Sequence, residues 1–182
     1  MKRIALLLAL LLASLTVKAQ FTVSPQGIIN ETGKDYVVYE FEGKTQQELF
    51  TATNVALHAM YVSPKDVLSI VENNSITING VNPDIWRDRN MMSTVPSLTM
   101  NYTIVVEFKD GRIRIMNPTI NRLIVPVSGT ETTSYNGSEY LGYLFKNDKA
   151  KHPKTNASIE SSLNSLVNKI MSSITDQKKE EW

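Results

Sequence analysis

The chain has 182 residues, 42% of them hydrophobic, with 19 Lys and Arg against 18 Asp and Glu and no cysteine. That length suits a single domain with a full hydrophobic core. The missing cysteines exclude disulfide staples, thiol catalysis and Cys-ligated zinc. The near-balanced charge provides no basic footprint for nucleic acid.

Residues 1–19 read as a signal peptide. Lys2 and Arg3 form a positive start, Ile4 to Leu15 an apolar run of about twelve residues, and Val17-Lys18-Ala19 a cleavage site. A bilayer-spanning helix needs ~20 apolar residues, so the reading is cleavage after Ala19, with no transmembrane span afterwards. Removing this segment lowers Lys and Arg from 19 to 16 against 18 Asp and Glu. The expected destination is the periplasm, with the extracellular space as the alternative.

Gln20 to Asp35 is polar, carries Pro25, Gly27 and Gly33, and reads as a leader arm ahead of one domain over 36–182. In Tyr36–Glu42, Val37, Tyr39 and Phe41 share one face of a strand and Glu40 and Glu42 the other. Gly43 breaks it. Thr45 and Glu48 then form a capping box that opens a helix over 45–62, with Leu49, Ala52, Ala56, Leu57 and Met60 as its apolar stripe. Pro64 ends this helix. Strands follow at 67–72 and 75–80, turned at Asn73-Asn74.

Met100, Tyr102, Ile104, Val106 and Phe108 share one face of a long strand, which turns at Asp110-Gly111. A two-residue loop there sets Phe108 opposite Ile113, Val106 opposite Ile115 and Glu107 opposite Arg114. Pro118 breaks the ladder, and Leu123 to Val125 read as one more short strand. Residues 128–155 read as a long polar link with a helical turn or two between 138 and 146.

The closing helix is expected from Asn156 or Ser158 onward, with Ile159, Leu163, Leu166, Val167, Ile170 and Ile174 in a stripe. Its other positions, among them Glu160, Ser162, Asn164 and Ser165, include Lys169 as the only base before the terminal cluster. A helix lying on an anionic membrane carries a dense basic face, so this stripe is expected to pack on the protein's own sheet. The fold class is therefore α+β: an antiparallel sheet of five to six strands with two helices packed on one face.

A strand ending in Glu42-Gly43, the capped helix after Thr45-Gln46-Gln47-Glu48-Leu49-Phe50, Asp66-Val67-Leu68, Ile76-Thr77-Ile78-Asn79-Gly80 and the run Tyr102 to Arg114 together resemble one family. It is a secreted Bacteroidetes domain of unknown function with a TATA-binding-protein-like (TBP-like) fold. The resemblance spans roughly Tyr36 to Pro118 and implies a curved sheet backed by helices. It implies no activity, and DNA binding does not travel with the fold.

Catalytic patterns are absent: no Gly-x-Ser-x-Gly elbow, no His-Glu-x-x-His, no phosphate-cradling glycine loop. His58 falls on the polar side of its helix, and His152 sits between Lys151 and Pro153-Lys154. Asp84 and Asp88 have Arg87 and Arg89 beside them, which keeps both ionised rather than poised as an acid–base pair. The reading is a non-catalytic protein with no metal and no cofactor.

The candidate binding residues are Trp86, Arg87, Arg89, Met91 and Met92, in a connection over 81–97 that is longer than ordinary. Trp and Arg are enriched in binding hot spots. The bland alternative has Ile85-Trp86 tucked at the sheet edge and the methionines filling gaps. Tyr135, Tyr140, Tyr143 and Phe145 are either a lid or anchors for the polar link. The leading function is an exported binding or scaffold domain that presents 81–97 to another envelope protein. The alternative is a carrier of a small apolar ligand, such as a lipid, held between the sheet and the final helix.

Overall fold

The computed structural model describes residues 20–87, 97–128 and 130–176. Its centre is β6 (Leu98–Lys109), in which every second side chain is buried. β5 (Ser75–Ile85) runs along one side of β6, and β4 (Leu68–Val71) lies outside β5. The other side of β6 is shared. Its C-terminal half pairs with β7 (Arg112–Met116) and its N-terminal half with β8 (Thr119–Ser128). β3 (Tyr36–Glu40) pairs with β7, and β9 (Glu131–Asn136) pairs with β8, completing a seven-stranded antiparallel sheet.

Pro118 explains the handover from β7 to β8. It has no N–H to give a ladder, so pairing stops there and resumes at Thr119 on the same edge of β6. The Asp110-Gly111 turn sets Phe108 against Ile113, Val106 against Ile115 and Glu107 against Arg114, as the alternation requires. The Arg114 Nε donates to Glu107 Oε2 at 2.5 Å, and the guanidinium also lies 5.1 Å from the Tyr36 ring centroid. Register shifts in β5–β6, β6–β8 and β8–β9 add the local twist that bulges produce.

Two helices cover one face. α1 (Gln46–Met60) begins at the capping box: Glu48 N–H donates to Thr45 Oγ1 at 3.2 Å, and Thr45 N–H to Glu48 Oε2 at 2.8 Å. Leu49, Phe50, Ala56 and Leu57 are buried beneath it, with Phe50 edge-on to Phe108 at 5.5 Å. A single turn, α2 (Pro64–Val67), leads into β4. A second short helix, α3 (Glu139–Leu144), follows β9, and a small hairpin of β10 (Phe145–Lys146) and β11 (Lys149–Ala150) turns through Asn147 and Asp148 at φ 50° and 59°. These two residue types tolerate the left-handed region best after glycine.

α4 (Pro153–Asp176) closes the fold. Its stripe is buried: Ile159, Val167 and Ile170 at 0%, Leu163 at 1% and Ile174 at 7% exposure. The stripe therefore packs on the protein's own core, as its narrowness and the lack of a dense basic face lead one to expect. The helix starts three residues ahead of Asn156 because Pro153 is an ideal first helical residue.

Residues 20–35, expected to be a polar arm, contain a hairpin of β1 (Phe21–Ser24) and β2 (Gly27–Asn30). Phe21, Val23 and Ile28 are buried in the common core. β1 is docked by two polar residues of α4. Asn164 Oδ1 accepts from Gln20 N–H at 2.9 Å and Phe21 N–H at 3.0 Å, while its Nδ2 donates to Phe21 C=O at 2.9 Å. Glu160 Oε1 accepts from Val23 N–H at 2.8 Å. Four helical residues rise about 6 Å and two strand residues about 6.6 Å. The matched spacing lets the two side chains act as a substitute strand on the open edge of β1.

The remaining differences lie in strand count and in the link. Residues 128–155 contribute β9, α3 and the β10–β11 hairpin, which makes the main sheet larger than the five to six strands expected. β9 reads Glu-Thr-Thr-Ser-Tyr-Asn and is exposed apart from the half-buried Tyr135, so no apolar alternation announced it.

Candidate functional site

The 81–97 connection is shorter than its sequence suggested, because β5 continues to Ile85, which pairs with Leu98. Both residues are fully buried. Trp86 follows immediately and is 53% exposed. Its position is fixed from two sides. The Trp86 N–H donates to Ser158 Oγ of α4 at 2.8 Å, and Arg87 Nη1 donates to the Pro126 carbonyl of β8 at 2.5 Å. Val127, beside Pro126, is also 53% exposed. Arg89, Met91 and Met92 lie outside the described residues. So do residues 1–19, read as the signal peptide.

Two tyrosines of the former link and His152 form a stack. Tyr135 and Tyr143 have ring centroids 5.2 Å apart, and Tyr143 and His152 4.6 Å. This column ties β9, α3 and the approach to α4 together. Tyr140 is buried, with its hydroxyl beside Gly27 in the β1–β2 turn, and burial raises its pKa. Phe145 packs against the core cluster. None of the four lines either of the clefts described next.

A cleft of about 810 Å³ lies between the β3–α1 connection, α1 and the end of α4. Phe41, Leu49, Ala52 and Ile174 give it apolar walls, and Glu40, Glu42 and the Lys44–Glu48 ion pair surround them. Glu48 is held below its usual value by the Thr45 backbone amide, then by the Thr45 hydroxyl and Lys44.

A second cleft, of about 520 Å³, opens between the end of α1, β5 and α4. The carrier alternative placed a ligand between the sheet and the final helix but named none of this lining as its site. It is lined by Tyr61 at the C-terminal cap of α1, Val81 to Pro83 of β5, Tyr102 of β6, and Ser162, Ser165, Leu166 and Lys169 of α4, with Met60. Asn82 Nδ2 donates to Ser162 Oγ at 2.6 Å and braces one side. Tyr102 lies over Gly80, its cross-strand partner. A Cβ at Gly80 would fall 2.3 Å from the Tyr102 ring, so only glycine admits the ring there. The Tyr61 and Tyr102 hydroxyls stand 3.5 Å apart. Desolvation raises both pKa values, so both stay neutral donors at ordinary pH. The one clue in the sequence was Tyr102 itself, a hydroxyl within an otherwise apolar core row.

Among the described residues, no group of three or more His, Cys, Asp or Glu is placed to hold a metal ion. No helix there is long and apolar enough to cross a membrane.

The sheet with helices on one face has counterparts among solved structures. A TBP-like protein from Parabacteroides distasonis superposes with a TM-score of 0.59 at 14% identity, covering 77% of this chain and 90% of that one. The fold is TBP-like. A DUF4468 family protein from Bacteroides ovatus gives a TM-score of 0.51, also at 14% identity, covering 80% and 85%. No family model matches the chain, and no curated protein matches it in sequence. The TBP-like fold that the residues resembled is thus the one observed, and at this identity the likeness speaks to fold alone.

Proposed function

We propose that this protein is an exported, non-catalytic binding module of the cell envelope, cleaved after Ala19 and periplasmic, whose Trp86 end docks another polypeptide. The observation that carries the reading is a large aromatic side chain left half exposed on a rigid base. The Trp86 backbone N–H is held by Ser158 of α4, and the next residue is clamped to β8. Rigid presentation lowers the ordering cost of binding, and Val127 adds apolar surface beside the clamp. Trp is the residue type most enriched in interface hot spots.

The reading in which an apolar ligand is enclosed within the sheet–α4 core has less support. The space between sheet and α4 is filled by side chains exposed by 8% or less, and both clefts open at its margins.

The test is Trp86→Ala in protein purified gently from its own cell envelope. Folding should be unchanged, since the side chain is half in solvent, and a co-purifying polypeptide should be lost through a weakening of about 30-fold or more. A partner profile identical to that of the unmodified protein would end this reading.

A further inference from the structure

The cleft beside Tyr61 and Tyr102 has a chemical bias that does not depend on the Trp86 reading. Two phenols carry two hydroxyl hydrogens. One mutual contact of 3.5 Å uses at most one of them, and neither hydroxyl has another hydrogen-bond partner among the described residues. One hydrogen is therefore left for an acceptor outside the pair. The cleft lining offers no carboxylate to take it. Asn82 Oδ1 is already engaged by the Asp84 N–H at 2.8 Å. Lys169 brings an exposed ammonium to the same lining and has no carboxylate partner among the described residues. The lining thus offers phenolic and ammonium donors and no carboxylate, a combination that suits an anion.

The rest of the lining is apolar: Met60, Val81, Pro83, Leu166 and the tyrosine rings. Its volume of about 520 Å³ falls in the range of small-molecule sites. We propose that this cleft binds a small amphipathic carboxylate. The carboxylate accepts from the tyrosine pair and from Lys169, and the aliphatic part lies on Val81, Pro83 and Leu166. The close fit of Tyr102 on Gly80 holds the hydroxyl pair at a fixed depth, so the donors are placed before the ligand arrives.

Calorimetric titration of the purified protein with sodium dodecanoate tests this, with methyl dodecanoate as the uncharged comparator and acetate as the tail-less one. Saturable binding of dodecanoate is expected, with the ester weaker by about tenfold and acetate not binding at about 1 mM. Lys169→Met and the double variant Tyr61→Phe/Tyr102→Phe should each lose about tenfold or more, while Val55→Thr on exposed α1 surface binds as the unmodified protein does. Circular dichroism confirms that each variant is folded, and both changes conserve side-chain volume closely. No saturable binding of dodecanoate, acetate binding as tightly as dodecanoate, or either variant within about twofold of the unmodified protein would overturn the proposal.

Discussion

Asn164→Ala is the substitution that most sharply tests how the fold is held. Asn164 is 7% exposed and satisfies both polar groups of buried Phe21, together with the Gln20 N–H. Truncation leaves the Phe21 N–H and C=O without partners in the core. An orphaned buried backbone group costs about 1–3 kcal/mol, so the pair costs about 2–6 kcal/mol. Water entering beside the half-buried Gln20 relieves part of this, which places the expected loss near 3 kcal/mol, a large share of the ~5–15 kcal/mol that stabilises a domain. With a urea dependence of about 1–3 kcal/mol per molar, the unfolding midpoint should fall by one to a few molar. Asn164→Asp keeps the acceptor but loses the donor and sets a carboxylate against the Phe21 carbonyl, so at neutral pH it should be no milder. Hydrogen exchange at the Phe21 amide supplies the local readout, with protection lost in both variants. A change under about 1 kcal/mol with Phe21 protection intact would refute the idea that α4 side chains complete the edge of β1.

Three further predictions follow from single contacts. Gly80→Ala should cost about 1–3 kcal/mol by forcing the Tyr102 ring off its seat, and most of that cost should vanish in a Tyr102→Val background; equal costs in both backgrounds, measured by urea unfolding, would show that the ring yields freely. Glu48 titrates below its ordinary value in the folded state, so its contribution is full above the unfolded carboxylate pKa and is lost as pH falls through the lowered folded value. Glu48→Gln should therefore flatten the acid limb of the stability profile, and an unchanged limb would contradict the capping box. Burial pushes Tyr39 up to about 12, with Gln20 pulling weakly the other way. A raised value means that stability is complete below the unfolded tyrosine pKa near 10 and is lost as pH rises towards 12, so Tyr39→Phe should extend the alkaline limit in a spectroscopic titration of tyrosinate, and an unshifted limit would refute the assignment.

What could be read from the residues was whatever neighbours in sequence decide. Thr45 and Glu48 are three apart, and Phe108 finds Ile113 across a two-residue turn, so cap and register were both legible. The α4 stripe was legible too, because 3.6-residue periodicity and the lack of a dense basic face already choose between a core and a membrane. The β1–β2 hairpin was not. Its apolar residues are few, and the groups that make it stable, Asn164 and Glu160, lie some 140 positions away on what looked like a solvent-facing row. β9 was missed because an exposed edge strand has no core face to declare it. The tyrosine cleft has the same origin as these omissions: Tyr61 ends a helix, Tyr102 sits mid-strand, and only the helix-on-sheet packing brings their hydroxyls together.

The central claim is that the Trp86 end meets another polypeptide. Its most direct test is to replace Trp86 by a photo-crosslinking aromatic residue in the native cell, with the same residue at Val55 as control, and to irradiate intact cells. A single discrete crosslinked species from position 86, absent from position 55 and outcompeted by unmodified protein, is the predicted result. Equal, diffuse labelling from both positions, or none from position 86, would contradict the account.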